Sequence, residues 1–174
     1  ASVGVHPHDA ASADEAVFKT IEELGKPSKV VAIGETGLDY FRNLSPRDVQ
    51  ANVFRRQLAL AREIGKPVIV HCRAAHQDLL QILREEQAQE IGGVMHCFSG
   101  DVAFARASLE LGFYISIAGP VTYPNARKLP EVIKAVSEEF LVIETDCPFL
   151  PPQPYRGKRN EPAYLPITAA CVAE

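Results

Sequence analysis

Short aliphatic runs and longer stretches of helical spacing alternate along the chain. The apolar runs centre near residues 2, 31, 68, 94, 114 and 142, are rich in Val and Ile, and predict strands. Between them, apolar residues recur every three or four positions. Ala16, Val17, Ile21 and Leu24 predict a helix over residues 13 to 25, stopped by Gly25 and Pro27. Ser45 and Pro46 are placed to be the N-cap and first residue of a long helix; Val49, Val53, Leu58, Ala61 and Ile64 mark its apolar face and Gly65 its end. Leu79, Leu80, Ile82 and Leu83 predict an amphipathic helix from 75 to about 90. Asp101 is set to cap another, carrying Val102, Ala105 and Leu109 to Gly112, and a further helix is expected from roughly 125 to 139. Prolines at 148, 151, 152, 154, 162 and 166 predict a long loop over residues 148 to 166, with a last helix beginning after it.

Strand then helix, six times over, is the pattern of a parallel sheet with right-handed crossovers, in an open doubly wound sheet or a TIM-type (β/α)8 barrel. The strand ends favour the barrel. The run 30 to 33 leads to Glu35, set between Gly34 and Gly37; the next strands lead to His71, to His96 and to Asp146. These are metal-ligand residue types, and at the C-terminal ends of four parallel strands they are expected to converge on one divalent-metal site. Taken singly, each has an ordinary structural use as a cap or turn residue; it is the repetition that points to a metal. Mixed His and carboxylate ligands fit Zn, Mn or Mg without choosing among them. Eight strands take ~250 residues, so a chain of 174 with about six βα units is expected to be a single domain lacking the first strands and the C-terminal end of the barrel.

Composition narrows the picture further. At 47% hydrophobic and 23% charged the chain can bury a sizeable core, and no apolar run approaches the ~20 residues needed to span a bilayer. With no basic segment leading into a secretory apolar core at the N-terminus, a cytoplasmic location and no membrane partner are expected. A formal net charge of -4 argues against a broad basic surface, so any nucleic-acid contact has to be local. Cysteines 72, 97, 147 and 171 form no C-x-x-C pair and are expected to be reduced, with Cys72 and Cys97 turned away from the histidines that precede them.

Five motifs, in order, are Gly4-Val-His-Pro-His8, Gly34-Glu-Thr-Gly-Leu-Asp-Tyr40, His71-Cys-Arg73, His96-Cys-Phe-Ser-Gly100 and Glu144-Thr-Asp-Cys-Pro148. With them the sequence resembles the TatD family of metal-dependent hydrolases, the TatD-type deoxyribonucleases among the amidohydrolase-like barrels, over essentially all 174 residues. The resemblance implies a site for two divalent ions (Mg, Mn or Zn) in which Glu35 bridges, His71 and His96 bind one ion and Asp146 the other. It also implies hydrolysis of DNA or another phosphoester. Glu35 and Asp146 would be the catalytic carboxylates, Asp146 orienting the water and accepting its proton; His6 and Arg73 would bind the phosphate, and Arg156, Lys158 and Arg159 would guide the nucleic-acid backbone at the rim. Two departures stand out. No His-x-His pair of the kind the family carries on its first strand is present, His6-Pro7-His8 matching a later motif, and Ala74 stands where members often have Asp. Two other functions fit the same residues: a metal-dependent esterase or deacylase, for example acting on an aminoacyl-tRNA ester, and a non-catalytic truncated barrel.

Overall fold

The computed structural model describes residues 1–174, which divide into one unit of residues 1–95 with 110–113 and another of residues 96–109 with 114–174. In the first unit β1 (Ser2–Val3), β2 (Ala32–Asp39), β3 (Val68–Arg73) and β4 (Gly93–Met95) pair in chain order, all parallel. The helices are α1 (Glu15–Gly25), capped by the Asp14 side chain on Val17 N–H, α2 (Arg47–Ile64), ended by left-handed Gly65, and α3 (His76–Glu85). Ile33, Leu38, Phe54, Leu58, Val68, Val70, Leu79 and Leu83 are fully buried and form the core of this unit.

The second strand runs further than its apolar run. It does not stop at Glu35 but continues to Asp39, and its register with β3 slips: Ile33 faces Val68 while Thr36 faces Val70, so that Gly34 and Glu35 together span what Ile69 spans alone. Such a bulge bends a strand and re-aims a side chain, and here the side chain is Glu35. Beyond the bulge β2 and β3 approach closely at Gly37, where a Cβ would lie 2.0 Å from the His71 carbonyl oxygen.

Helix α2 fastens the strand ends with two fully buried glutamines. Gln57 accepts from Val5 N–H at 2.7 Å and donates to the Val5 carbonyl at 3.0 Å and to Thr36 Oγ1 at 2.6 Å. Gln50 accepts from Asp39 N–H at 2.8 Å and donates to the carbonyls of Asp39 and Ser45. Backbone groups beyond the sheet ladder need partners, and these amides supply them. Ser45 is not the helix cap expected of it. The helix begins after Pro46 without a side-chain cap, and Ser45 Oγ instead donates to the His8 carbonyl and accepts from Ala11 N–H, latching the short 3-10 helix Pro7–Ser12.

In the second unit β5 (Phe113–Ile117), which starts at the boundary, pairs in parallel with β6 (Leu141–Ile143). Its helices are α4 (Val102–Glu110), with Phe104 N–H on Asp101 Oδ1, α5 (Lys128–Ala135) and α6 (Leu165–Ala173). Helices α3 and α5 are shorter than their periodicity predicts, because left-handed Gln87 and extended Val136 stop them and a 3-10 turn follows each. The proline-rich loop is irregular but tied down, with buried Asn160 donating to the Phe149 carbonyl and Tyr155 and Tyr164 stacked at 3.8 Å. No helix is long and apolar enough to cross a membrane.

Candidate metal centre

Each unit carries one cluster, and the two are built alike. In the first, His71 Nδ1 lies 2.7 Å from Glu35 Oε1 while its Nε2 lies 3.0 Å from Asp39 Oδ2. Asp39 is almost fully buried and is held by Phe41 N–H, Arg42 N–H and His8 Nε2 as well. Burial works against its charge, but the donors from Arg42, His8 and His71 outweigh it and hold the carboxyl at about 2. With Asp39 ionised, His71 Nε2 is the nitrogen that donates to it, and Nδ1 is turned to Glu35 with His6 Nε2 also in reach. Nδ1 and Glu35 Oε1 are both atoms of the kind that ligate a divalent ion.

The second cluster repeats the logic. Glu144 accepts from His96 Nδ1 and from Cys97 N–H, each at 2.6 Å. Burial raises its pKa, but the donors from His96, Cys97 and Ser116 bring it below the ordinary value. The His96 proton is thereby fixed on Nδ1, and Nε2 faces Asp146 Oδ1 at 3.3 Å. Neighbouring ligands around a divalent ion with bonds near 2.1 Å are separated by about 3.0 to 3.4 Å, and this pair has that spacing. In both clusters an acid, the buried Asp39 or the half-buried Glu144, binds a histidine whose other nitrogen is turned to a second acid, which is how histidine ligands are usually prepared for a metal.

His6 sits beside the first cluster, its Nε2 3.4 Å from His71 Nδ1 and 3.8 Å from Glu35 Oε1. One atom each from His6, Glu35 and His71 fall within 4.8 Å of one another, compact enough for an ion. The tautomer favours a different use. His8 N–H donates to His6 Nδ1 at 3.2 Å, and burial, with His71 next, keeps the ring below its ordinary pKa and neutral. The single ring proton is therefore on Nε2, a donor for an incoming oxygen.

Of the other candidates, Arg73 is exposed at the end of β3 with its guanidinium 4.2 Å from the centre of the Phe41 ring. Arg156 lies over Tyr123 at 4.5 Å and Lys158 near Tyr155 at 5.9 Å. Arg159 lines a cavity of about 350 Å³ with Cys147, Pro148 and Asn160, next along the chain to Asp146. The structure thus brings Glu35, His71 and His6 together in one unit and His96 and Asp146 together in the other. Asp39, His8 and Glu144 were not among the residues singled out as site residues. Their signal was spacing: Asp39 is four residues from Glu35 along β2, and Glu144, directly after β6, is two from Asp146. Cys72 is turned to the interior, and burial pushes its thiol up to about 12.

Residues 1–174 match the family model described as TatD related DNase. The chain belongs to the TatD family. It is 51% identical over 174 residues to the metal-dependent hydrolase YabD of Bacillus subtilis (strain 168), covering 100% of this chain and 68% of that protein. To the metal-dependent hydrolase YcfH of Escherichia coli (strain K12) it is 43% identical over 172 residues, covering 99% and 64%. The TatD protein of Klebsiella pneumoniae (strain 342), named a 3'-5' ssDNA/RNA exonuclease, is 42% identical over 177 residues, with coverage of 99% and 67%. The crystal structure of YJJV, a TatD homolog from Escherichia coli K12, matches with a TM-score of 0.92 at 32% identity, covering 99% of this chain and 67% of that one. The chain spans about two thirds of the length of these relatives. Its α/β architecture is that of the TatD barrels, six parallel strands of which lie in residues 1–174.

Proposed function

We propose that the native protein is a divalent-metal-dependent phosphodiesterase of the TatD type that removes nucleotides from single-stranded DNA. The observation that carries the reading is the repeated carboxylate–histidine arrangement, in which Asp39 and Glu144 each bind one ring nitrogen of His71 and His96 while the other nitrogen is turned toward a second acid. The Klebsiella relative's name supplies the nucleic-acid substrate class, and the basic residues Arg73, Arg156, Lys158 and Arg159 are consistent with it.

Glu35 Oε1 and His71 Nδ1 would hold an ion at the first cluster, and His96 Nε2 and Asp146 Oδ1 one at the second. When bound, a divalent ion would supply a water of lowered pKa and neutralise charge on a phosphoryl oxygen. The protein groups do the rest. Asp146, the more exposed acid of its cluster, orients the attacking water and takes its proton. Nε2–H of His6 donates to an oxygen of the phosphate. Arg73 presents a planar fork to a phosphate, a geometry that a lysine cannot reproduce. Asp39 and Glu144 keep the two imidazoles from rotating or changing tautomer as charge moves.

The test is hydrolysis of a labelled single-stranded oligonucleotide by the native protein with Mg2+, Mn2+ or Zn2+, run beside an aminoacyl ester. Release of nucleotides that stops on chelation is expected. Cleavage of the ester alone, or no metal-dependent release from the oligonucleotide with any of the three ions, would overturn the reading.

A further inference from the structure

We infer that Phe41, braced by the guanidinium of Arg73, is a stacking platform for an unpaired nucleobase, with Arg42 and Arg73 taking adjoining phosphates; the inference rests on the nucleic-acid reading above. Phe41 is 65% exposed and Leu44, three residues on, is 63% exposed. An exposed apolar residue is ordinary on any surface. What is not ordinary is how firmly this one is held out. Its own N–H and that of Arg42 are bound by Asp39 Oδ1 at 3.0 and 2.7 Å. The preceding Tyr40 is tied on three sides, by its N–H to the Arg73 carbonyl, by its hydroxyl to Asp78 and by Arg47 over its ring at 4.3 Å. The Phe41 ring thus stands on a fixed backbone, and the Arg73 guanidinium lies 4.2 Å from its centre.

A ring held in this way loses little freedom when a flat partner lands on it, and preorganisation of that kind is a source of affinity. The partner has to be planar, apolar on its faces and linked to negative charge, because Arg73 lies against the ring and the exposed Arg42 follows it in the chain, and a nucleobase in a strand is all three. It also has to be unstacked, so single strands and frayed ends qualify and duplex interiors do not. The platform belongs to the first cluster mechanically: Asp39, which fastens Phe41 and Arg42 through Oδ1, fastens His71 through Oδ2. A base seated there is therefore indexed to the metal-ligand histidine through one carboxylate.

Residues 1–174 contain no tryptophan, so Phe41→Trp introduces one indole among them as a reporter. Its emission is measured in chelator, where nothing is cleaved, against a thymidine strand of about ten nucleotides and an abasic strand of equal length and charge. Quenching by the thymidine strand and not by the abasic one is expected. In the second arm, Phe41→Ala should weaken binding of the labelled thymidine strand about tenfold and leave the weak abasic binding where it was. Equal quenching by both strands, or an unchanged Kd for Phe41→Ala, would overturn the platform, as would loss of self-association on Phe41→Ala with no change in strand binding. Because no turnover is needed, a protein that hydrolyses DNA without stacking fails this inference alone, and one that stacks bases without hydrolysis fails the nuclease reading alone.

Discussion

Asp39 and Glu144 decide what His71 and His96 can offer, since each occupies one ring nitrogen. Replacing Glu144 with Gln keeps an acceptor near His96 Nδ1 but removes the charge that now receives both His96 and Cys97 N–H. Metal affinity should fall roughly 10- to 100-fold, read by calorimetric titration with Zn2+. Glu35→Ala removes a ligand atom outright. Loss of turnover together with loss of bound metal is the expected outcome, checked by elemental analysis alongside the oligonucleotide assay; wild-type rates in that variant would end the proposed role of Glu35. The positions of Glu35, His71, His96 and Asp146 near the ends of apolar runs were legible in the sequence. Asp39 and Glu144 were harder to see: both lie in motifs read for their chemistry at another residue, and their roles depend on contacts at separations of 32 and 48 residues.

At the scale of elements, α2 shows where hydrophobic periodicity misleads. Its buried stripe is Gln50, Val53, Phe54, Gln57, Leu58 and Ala61, an i, i+3, i+4, i+7, i+8, i+11 pattern in which two members are polar. A reading that counts only apolar residues substitutes Val49 and Ile64, which are half-buried. The glutamines face inward because the strand ends they meet present bare backbone. Gln57→Leu would strand the N–H and carbonyl of Val5, and an unsatisfied buried group costs about 1–3 kcal/mol. Destabilisation of about 3 kcal/mol in urea unfolding is expected, against little change for Val49→Ala on the half-buried flank. The bulge at Gly34 and Glu35 was likewise invisible in the pattern, since a run of Val and Ile fixes a strand and not its register.

Across the whole chain, the alternation of strand and helix was legible six times over because parallel strands are buried on both faces and read as continuous apolar runs. Net charge was a poorer guide. A formal charge of -4 describes the sum, whereas a bound strand would meet only local groups, of which the proposed ones are Arg42 and Arg73 in one unit and Arg156, Lys158 and Arg159 in the other. Counterion release gives a single-strand slope of about -0.7 per phosphate neutralised, so log K against log salt should be no steeper than about -3.5 for these five cations. A markedly steeper slope in anisotropy titrations would mean a basic path that these residues do not form. The latch at Ser45 carries a lesson for anyone redesigning this pocket. Its hydroxyl holds the His8 carbonyl and Ala11 N–H, and His8 N–H in turn sets the proton of His6. The turn between Tyr40 and Ser45 is therefore part of the address of His6. Removing that hydroxyl, as in Ser45→Ala, would loosen the 3-10 turn that carries His8 and with it the donor on His6, with Glu35, His71, His96 and Asp146 left in place.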